Sequence, residues 1–432
     1  MKSTLHFSPG SGWMNDPNGL IYRGGRHHLF FQHEPSATSP HRLRWGHASS
    51  ADLITWQEHP PALIPGETYD RDGCWSGCAV EVDGRVAILY TGIRGTEQRP
   101  CLAWADDEDL LSFTKDQDNP VIPSPPLPNV VDFRDHTVVR SGGYWQQRIA
   151  GATPEGKGTL FGYRSLDFRR WRFTGIALDT TTSAISGGAW ECPDWIRLHG
   201  ADVMLLSVIA EQPVTSGTDA AAAAAPEVWW SLGGDDGERM HERAAGPLDV
   251  GDRLYAPQSY WVGGRRIMLG WVRTHLDPAW HAGAETAGVM SLPRELVVHG
   301  DDVLVFPAME LRAARMAGQQ FPLSHGATTR VSLTPSSAGE LEADADACQR
   351  LSSITLLGST SQLNINCSRF AQRSGPLTIF YDRGVVEVFR GGLAGTWSDL
   401  RLDNVHALEL AHYSTGGGCV VHWRLQASAP PP

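Results

Sequence analysis

The chain has 432 residues, 41% of them hydrophobic, which is enough to form the cores of two domains. Its formal net charge of −12 argues against nucleic acids and anionic membranes as partners. Seven cysteines at irregular spacings form neither a disulfide framework nor a zinc pattern, and no run of 18 apolar residues suggests a membrane span. The first residues lack an apolar segment of signal-peptide length, so a cytoplasmic location is expected.

Glycine-containing turns recur at nearly even spacing along the first two-thirds of the chain. They lie near Gly24, Gly84, Gly142, Gly200 and Gly263. Each turn separates two runs that are typical of strands, such as Gly19–Tyr22 and Leu29–Phe31 around the first turn. Regular repetition of hairpins indicates a radial, bladed architecture. We therefore predict an all-β fold in which residues 1–305 form a five-bladed β-propeller with the active site.

A second repeat supports the same architecture. Asp52–Trp56, Asp109–Phe113 and Asp167–Trp171 share the pattern Asp, apolar, two residues, aromatic. This pattern predicts an outer turn of each blade with an aromatic side chain packed between blades.

Candidate catalytic residues lie at equivalent positions before the glycine turns. Six to nine residues before the turns lie Asp16, Ser76, Asp135, Glu191 and Pro257. Equivalent positions on the innermost strands of a propeller converge on its axis, so three carboxylates are expected around one central pocket. Arg134 precedes Asp135 and is expected to keep that carboxylate ionised. Trp190 and Trp195 flank Glu191, and burial against aromatic rings would raise its pKa, as a general acid requires.

Three carboxylates without a set of metal ligands favour glycoside chemistry. One carboxylate would attack the anomeric carbon, one carboxyl would protonate the leaving oxygen, and the third would hold hydroxyls and stabilise the positively charged transition state. Neither a cofactor nor a metal is expected. The open alternative, a metal site built from histidines, fits no standard ligand spacing. Its members would be His27, His28, His33, His41 and His47.

The last third of the chain has a different pattern. Residues Ala308–Gly318 are the best helix candidate and predict a linker helix over 306–320. From there short alternating strands predict an antiparallel β-sandwich over 321–432. These strands are Thr329–Leu333, Leu351–Leu357, Leu377–Tyr381, Val385–Phe389 and Val420–Leu425. The low-complexity run Ala220–Pro226 is predicted to be a surface loop.

Trp13-Met-Asn-Asp-Pro-Asn-Gly19 resembles the sucrose box of glycoside hydrolase family 32, which contains invertases, inulinases and levanases. Further motifs match this family in order along almost the whole chain. They are Phe30–Pro35, Trp45–His47, Trp75–Gly77, Phe133–Asp135, Trp190–Pro193, Tyr255–Gln258, Gly270–Trp271, Leu292–Leu296 and Phe380–Phe389.

The resemblance implies a role for each acidic residue. Asp16 would be the nucleophile, Glu191 the acid/base and Asp135 the transition-state stabiliser. The residues that would bind the fructosyl unit are Asn15, Gln32, Trp45, Trp75, Ser76, Arg134, Tyr255 and Trp271. Two positions depart from the family pattern: His136 replaces the usual proline and Trp75 the usual phenylalanine. Both departures put the linkage preference in doubt more than the activity.

The expected activity is a retaining β-fructofuranosidase that releases terminal fructose from sucrose and short fructo-oligosaccharides. The expected partner is thus a small neutral sugar, with no nucleic acid and no membrane. A fructosyltransferase, a levan or inulin hydrolase, an inverting arabinanase-like enzyme and a non-catalytic carbohydrate-binding propeller are the alternatives. A homo-oligomer formed through the C-terminal sandwich, narrowing the funnel of a neighbouring subunit, is also left open.

Overall fold

The computed structural model describes residues 4–36, 42–209, 227–277, 286–322, 328–336, 338–349, 351–402, 404–412 and 419–426. The predicted loop Ala220–Pro226 lies outside these residues. The described part is almost entirely β-structure, arranged in seven sheets. Among its helices, none is long and apolar enough to cross a membrane.

The first five sheets follow one another along the chain. The first contains β1 (Gly12–Arg23), β2 (Arg26–Glu34), β3 (Arg44–Ser50) and β4 (Trp56–Leu63). The second contains β5 (Gly73–Val82), β6 (Arg85–Arg94), β7 (Glu97–Ala105) and β8 (Phe113–Lys115). The third contains β9 (Asp132–Ser141), β10 (Tyr144–Ala152), β11 (Gly158–Ser165) and β12 (Arg172–Asp179). The fourth contains β13 (Trp190–Leu198), β14 (Ala201–Val208), β15 (Val228–Asp235) and β16 (Met240–Pro247). The fifth contains β17 (Leu254–Val262), β18 (Arg265–Val272), β20 (Val289–Met290), β21 (Arg294–His299) and β22 (Asp302–Pro307), and β19 (Thr286–Ala287) joins the first sheet.

The innermost strands of these sheets close into a ring. β1 contacts β5, β5 contacts β9, β9 contacts β13, β13 contacts β17, and β17 returns to β1. The ring is fastened by β19, which pairs in parallel with β1 through Gly12–Thr286 and Trp13–Ala287. The predicted five-bladed propeller is confirmed, and its closure joins residues more than 270 positions apart.

The five predicted turns all connect the first two strands of a blade. Gly24, Gly84, Gly142, Gly200 and Gly263 all have positive φ. At Gly84, for example, φ is 83°, and a Cβ would meet no atom within 4 Å, so backbone conformation and not space selects glycine there.

The second repeat forms the turn that leads into the outer strand. Asp52 accepts hydrogen bonds from the N–H groups of Ile54 and Thr55, and Asp167 accepts the corresponding bonds from Arg169 and Arg170. In the second blade Asp107, and not Asp109, accepts the bonds from the N–H groups of Leu111 and Ser112. The apolar residue after each repeat Asp is buried at positive φ: Leu53, Leu110 and Phe168.

The remaining two sheets pack face to face around a shared apolar core. One contains β23 (Arg315–Pro322), β25 (Ala338–Ala343), β28 (Leu377–Asp382), β29 (Val385–Arg390), β30 (Leu393–Ser398) and β32 (Cys419–Leu425). The other contains β24 (Thr328–Ser336), β26 (Leu351–Leu357), β27 (Gln362–Asn366) and β31 (Val405–His412). Short helices lie at Thr274–Leu276, Met309–Ala314, Ala345–Cys348 and Cys367–Phe370. The predicted sandwich and its five strands are confirmed.

The prediction of a linker helix over 306–320 is wrong for most of that segment. Only Met309–Ala314 is helical, as a 3-10 helix, and β23 follows at once, paired with β32. Gly318 does not stop a helix: it lies opposite Trp423, whose indole would be 2.6 Å from a Cβ at position 318. Pairing with a strand about 100 residues away overrides the local helical preference. We propose on this basis that the sandwich begins at Arg315 and not at residue 321.

A buried polar cluster joins the N-terminal segment, the propeller and the sandwich. His6 lies between Asp382 and Glu387, with its ring nitrogens 3.1 and 3.2 Å from their oxygens. Glu387 also accepts hydrogen bonds from Arg294 of the fifth blade. The motif noted at Phe380–Phe389 therefore supplies two carboxylates of this cluster between the domains.

Candidate active site

Every inner strand carries a β-bulge at the same height in its blade. The bulges contain Asn15 and Asp16 in β1, Ser76 in β5, Asp135 in β9, Cys192 and Pro193 in β13, and Ala256 and Pro257 in β17. A bulge leaves a residue outside the ladder and re-aims its side chain. The five positions that the sequence repeat aligned thus coincide, within a residue or two, with a structural irregularity that all five blades share.

Three of the bulges contain a residue with positive φ, and each such residue depends on the preceding blade. Asp135, Cys192 and Ala256 have φ of 61°, 46° and 48°. Their N–H groups donate to Thr91 Oγ1, Asp135 Oδ2 and Ser207 Oγ respectively, at 3.1, 2.9 and 2.9 Å. A buried N–H outside the ladder needs an acceptor, and here the neighbouring blade supplies it. The strained backbone is therefore stabilised only when the ring is assembled.

Asp16 is held by hydrogen-bond donors from two other blades. The hydroxyl of Ser76 donates to Asp16 Oδ2 at 2.6 Å, and the thiol of Cys192 lies 3.4 Å from the same oxygen. Burial raises the pKa of Asp16, the Ser76 bond works against this rise, and the charge of Glu191 adds to it. The pKa of Asp16 is therefore raised above its ordinary value, although the donors from Ser76 and Cys192 stabilise the carboxylate form.

Asp135 shares a hydrogen-bonding partner with Asp16. Its Oδ2 accepts from the N–H of Cys192 and also lies 3.4 Å from the thiol of that residue. Burial raises the pKa of Asp135, the Arg134 charge lowers it, and the charges of Glu191 and Asp16 raise it again; the net direction is upward. Burial also raises the pKa of the Cys192 thiol, so a neutral S–H lies between the two carboxylates.

Glu191 receives the strongest donors of the site. The hydroxyl of Tyr255 donates to Oε2 at 2.5 Å, and the guanidinium of Arg134 donates to Oε1 at 2.8 and 3.1 Å. Arg134 was expected to act on Asp135, and its charge does lower the pKa of that carboxyl, but its hydrogen bonds go to Glu191. The expected contact between Glu191 and the flanking tryptophans is wrong. Trp190 and Trp195 lie in the core between the third and fourth blades.

Arg134 is fixed from several sides. Besides Glu191, it donates to Asp132 and to Gln98 Oε1, and its guanidinium carbon lies 5.9 Å from the ring centre of Trp75. The guanidinium thus joins the second blade, through Gln98 and Trp75, to Glu191 of the fourth.

An aromatic cluster lines the side of the first and fifth blades. Trp13 contacts Trp271 edge to face at 5.7 Å, Trp271 stacks on His275 at 5.2 Å, and Tyr255 lies 6.3 Å from Trp271. The indole of Trp13 donates to Asn15 Oδ1 at 2.8 Å, which fixes the amide next to Asp16. The predicted site residues Asn15, Tyr255 and Trp271 are therefore brought together.

Gln32 and Trp45 lie deeper, between the first two blades. Both are buried, and they are paired across β2 and β3. The indole of Trp45 donates to the carbonyl of Trp75, so this ring supports Trp75 from behind. Trp45 therefore acts on the site through Trp75. Both amide atoms of Gln32 are buried without a protein partner.

Sequence reasoning did not assign several residues of the site. Thr91, Gln98 and Asp132 carry no motif signal, and only the assembled blades bring them to the carboxylates. Cys192 follows Glu191 in the Glu-Cys motif, so its position near the site could have been predicted from the sequence. Its contact with both aspartates could not have been predicted.

The histidines of the alternative metal site do not converge on one point. His28 Nδ1 lies 3.0 Å from His47 Nε2, but His27 contacts Tyr260 and His33 the carbonyl of Ser11. Position 41 lies outside the described residues, and within those residues no group of three or more ligating side chains has metal-binding geometry.

The site combines one hydroxyl-bound carboxylate, one carboxylate held by a tyrosine and an arginine, and a third bound to backbone N–H. Such a set can supply a nucleophile, a proton donor and an acceptor for ligand hydroxyls without further groups.

Comparisons with known proteins agree with this chemistry. The family described as "Glycosyl hydrolases family 32 N-terminal domain" matches residues 6–307. Raffinose invertase of Escherichia coli is 34% identical over 336 residues, covering 74% of this chain and 67% of that protein. Sucrose-6-phosphate hydrolase of Bacillus subtilis is 32% identical over 345 residues, covering 76% of this chain and 69% of that protein. The chain thus spans about two-thirds of the length of these relatives.

A solved structure extends the likeness to the sandwich. The β-fructofuranosidase of Bombyx mori, solved in complex with sucrose, aligns with a TM-score of 0.82 at 25% identity over 100% of this chain and 95% of that one. Fructan 1-exohydrolase IIa of Cichorium intybus, solved with 1-kestose, aligns with a TM-score of 0.81 at 21% identity over 99% of this chain, which supports the fold alone.

Proposed function

Because the chain belongs to family 32 of the glycosyl hydrolases, we propose that it is a retaining β-fructofuranosidase that removes terminal fructose from sucrose and short fructo-oligosaccharides. The observation that carries this proposal is the meeting of Asp16, Asp135 and Glu191, each from a different blade: the Cys192 thiol contacts both aspartates, and the charge of Glu191 acts on both.

Asp16 acts as the nucleophile in this proposal. Its carboxylate attacks the anomeric carbon of the fructosyl unit and forms a covalent intermediate. The Ser76 hydroxyl donates to Oδ2 at 2.6 Å and so orients the carboxylate for attack. Burial has already removed most of the water around this carboxylate, which is why its pKa is raised. Little solvation therefore has to be removed when the substrate enters.

Glu191 acts as the acid and then as the base. It first donates a proton to the leaving glycosidic oxygen and later takes one from the attacking water. The bonds from Tyr255 and Arg134 fix the position of both of its oxygens. Asp135 holds hydroxyls of the fructosyl ring, and its negative charge stabilises the oxocarbenium-like transition state. Gln32, with both amide atoms unpartnered, is placed to bind a further hydroxyl.

Product analysis tests this proposal. The enzyme should release fructose and glucose from sucrose, with fructose appearing first as the β-anomer in early NMR spectra. Initial rates on sucrose, sucrose 6-phosphate, kestose, inulin and levan rank the substrates. Fructose that appears first with inverted configuration would contradict the retaining mechanism. Release of oligosaccharides ahead of fructose from a polymer would contradict the exo preference.

Two alternatives are separated by the same assay. A fructosyltransferase would form kestose or longer products as sucrose concentration rises, because a sugar replaces water in the second step. A carbohydrate-binding propeller would turn over none of these substrates. A rate on sucrose 6-phosphate that exceeds the rate on sucrose and falls with added salt would assign a charged substrate in place of the neutral one.

Association through the sandwich is a separate proposal. If copies pair through this domain, light scattering should give twice the 47.1 kDa mass of the chain. A monomer at micromolar concentration would contradict association through the sandwich.

A further inference from the structure

Thr91 lies on the second strand of the second blade, yet its side chain serves two other positions of the site. It is fully buried, and its hydroxyl oxygen lies 3.1 Å from the N–H nitrogen of Asp135, 3.1 Å from the carbonyl oxygen of Ser76 and 3.1 Å from His136 Nε2. Three polar groups therefore surround one hydroxyl.

Only one assignment of hydrogens gives every group around this hydroxyl a partner. The Asp135 N–H can only donate and the Ser76 carbonyl can only accept, whereas a hydroxyl carries one hydrogen and two lone pairs. Thr91 therefore donates its hydrogen to Ser76 and accepts from Asp135. The remaining lone pair of Thr91 accepts a hydrogen from His136 Nε2.

The other side of the imidazole agrees with this assignment. His136 Nδ1 lies 2.9 Å from the amide nitrogen of Gln147, which can only donate, so Nδ1 is the unprotonated nitrogen. Burial lowers the pKa of His136 to about 3, so the ring is neutral near neutral pH.

We propose that His136 is a positioning residue of the active site: as the neutral Nε2–H tautomer it orients Thr91, which fixes the backbone of Ser76 and Asp135 and so the direction of two functional side chains. The proposal rests on the proposed function for its kinetic consequence. A proline, which the resembled motif carries at this place, has no ring donor and could not do this.

Matched substitutions isolate the Nε2 donor. A glutamine amide reaches as far as Nε2, whereas an asparagine amide reaches only as far as Nδ1. His136→Asn and Thr91→Val should therefore lower kcat on sucrose about 10- to 100-fold with little change in KM, because the acids are misplaced and not removed. His136→Gln and Thr91→Ser should stay within about threefold of the wild type. The double variant of His136→Asn and Thr91→Val should lose little more than either alone, since both break one chain of bonds.

His28→Asn is the control for general loss of packing. It also replaces a buried, hydrogen-bonded histidine, but one in the first blade away from the carboxylates, so it should lower the melting temperature and leave kcat unchanged. Folding of each variant is checked by circular dichroism.

A readout independent of activity is the ¹⁵N spectrum of the imidazoles, with the His136 signals assigned from their loss in His136→Gln. We expect an unprotonated Nδ1 and a protonated Nε2 at pH 6 to 8. A folded His136→Asn with wild-type kcat, additive losses in the double variant, or a protonated Nδ1 would each overturn the positioning role. If the wild type hydrolysed no fructoside, the proposed function would fail, and the tautomer would still be decided by the spectrum.

Discussion

At the scale of single residues, the two aspartates and the glutamate differ in what holds them. Asp16 depends on a neutral hydroxyl, Asp135 on a backbone N–H and Glu191 on a phenol and a guanidinium. Each carboxyl group therefore responds differently to substitution of its partner, and this difference makes the assigned roles testable.

Ser76→Ala removes the hydrogen bond that works against the raised pKa of Asp16. We expect the pKa of Asp16 to rise further, so that the acid limb of the kcat/KM profile moves upward by about one to two pH units, since a hydrogen bond to a charged group contributes about 1.5 to 3 kcal/mol. The measurement is the pH dependence of sucrose hydrolysis. An unchanged acid limb in an otherwise folded variant would show that this limb does not report Asp16.

Glu191→Gln keeps the shape of the side chain but cannot transfer a proton. We expect kcat on sucrose to fall by about 10³-fold or more, and much less on an activated aryl fructoside whose leaving group needs little protonation. Comparing the two substrates on the same preparation is the test. Equal losses on both would contradict the role of general acid.

At the scale of elements, the first blade contains a row of neutral histidines, two of them buried and the third half-buried. His28, His47 and His59 follow one another between β2, β3 and β4, with ring centres of His28 and His47 5.3 Å apart and of His47 and His59 4.7 Å apart. Burial lowers the pKa of all three, that of His28 to about 4. In the unfolded chain each would titrate near 6.5.

This row should make the propeller sensitive to acid. Between pH 6.5 and 4 the unfolded chain binds protons that the folded blade does not, so stability falls as pH falls through this window. His28→Asn should reduce the slope of stability against pH by about 1.4 kcal/mol per pH unit there, because one differential proton is lost. Urea unfolding followed by tryptophan fluorescence at several pH values measures the slope. Parallel curves for wild type and variant would contradict the assignment.

At the scale of the whole molecule, the two domains are joined by ionisable groups that are buried together. Burial alone would lower the pKa of His6, but the hydrogen bonds and charges of Asp382 and Glu387 outweigh it and raise the pKa to about 9. Arg294 faces Glu387 from the fifth blade and Asp249 lies on its other side. Removing one member would leave uncompensated charge between the domains.

The sign of the pH effect here is opposite to that of the histidine row. Because the folded pKa of His6 lies above the unfolded value near 6.5, its contribution is complete below pH 6.5 and is lost as pH rises through about 9. The contribution amounts to about 3 kcal/mol. We expect His6→Gln to melt lower than the wild type at pH 6, with the two melting curves converging toward pH 9. Calorimetry at pH 6, 7.5 and 9 checks this, and a constant difference would refute it.

Local patterns of residues were enough to predict the repeat, the position of its turns and the three carboxylates. A glycine at a positive-φ turn recurs in every blade, and an acid seven to nine residues before it recurs in three of them, whether or not the blades are assembled. The sandwich strands were predictable for the same reason, since alternation of buried and exposed side chains is a property of each short segment. The family motifs added the expected roles of the acids.

Which groups meet depends on the folded ring. Arg134 donates its hydrogen bonds to Glu191 of the next blade, and the N–H of each strained bulge donates to a residue of the preceding blade. Thr91 reaches the site from a position without a motif, and His136 contacts Thr91 from the position where the family motif has proline. The segment after Ala314 becomes a strand because its partner, β32, lies about 100 residues away. Such contacts form between residues distant in the chain, and their geometry exists only after ring closure, so no local pattern of residues could specify them.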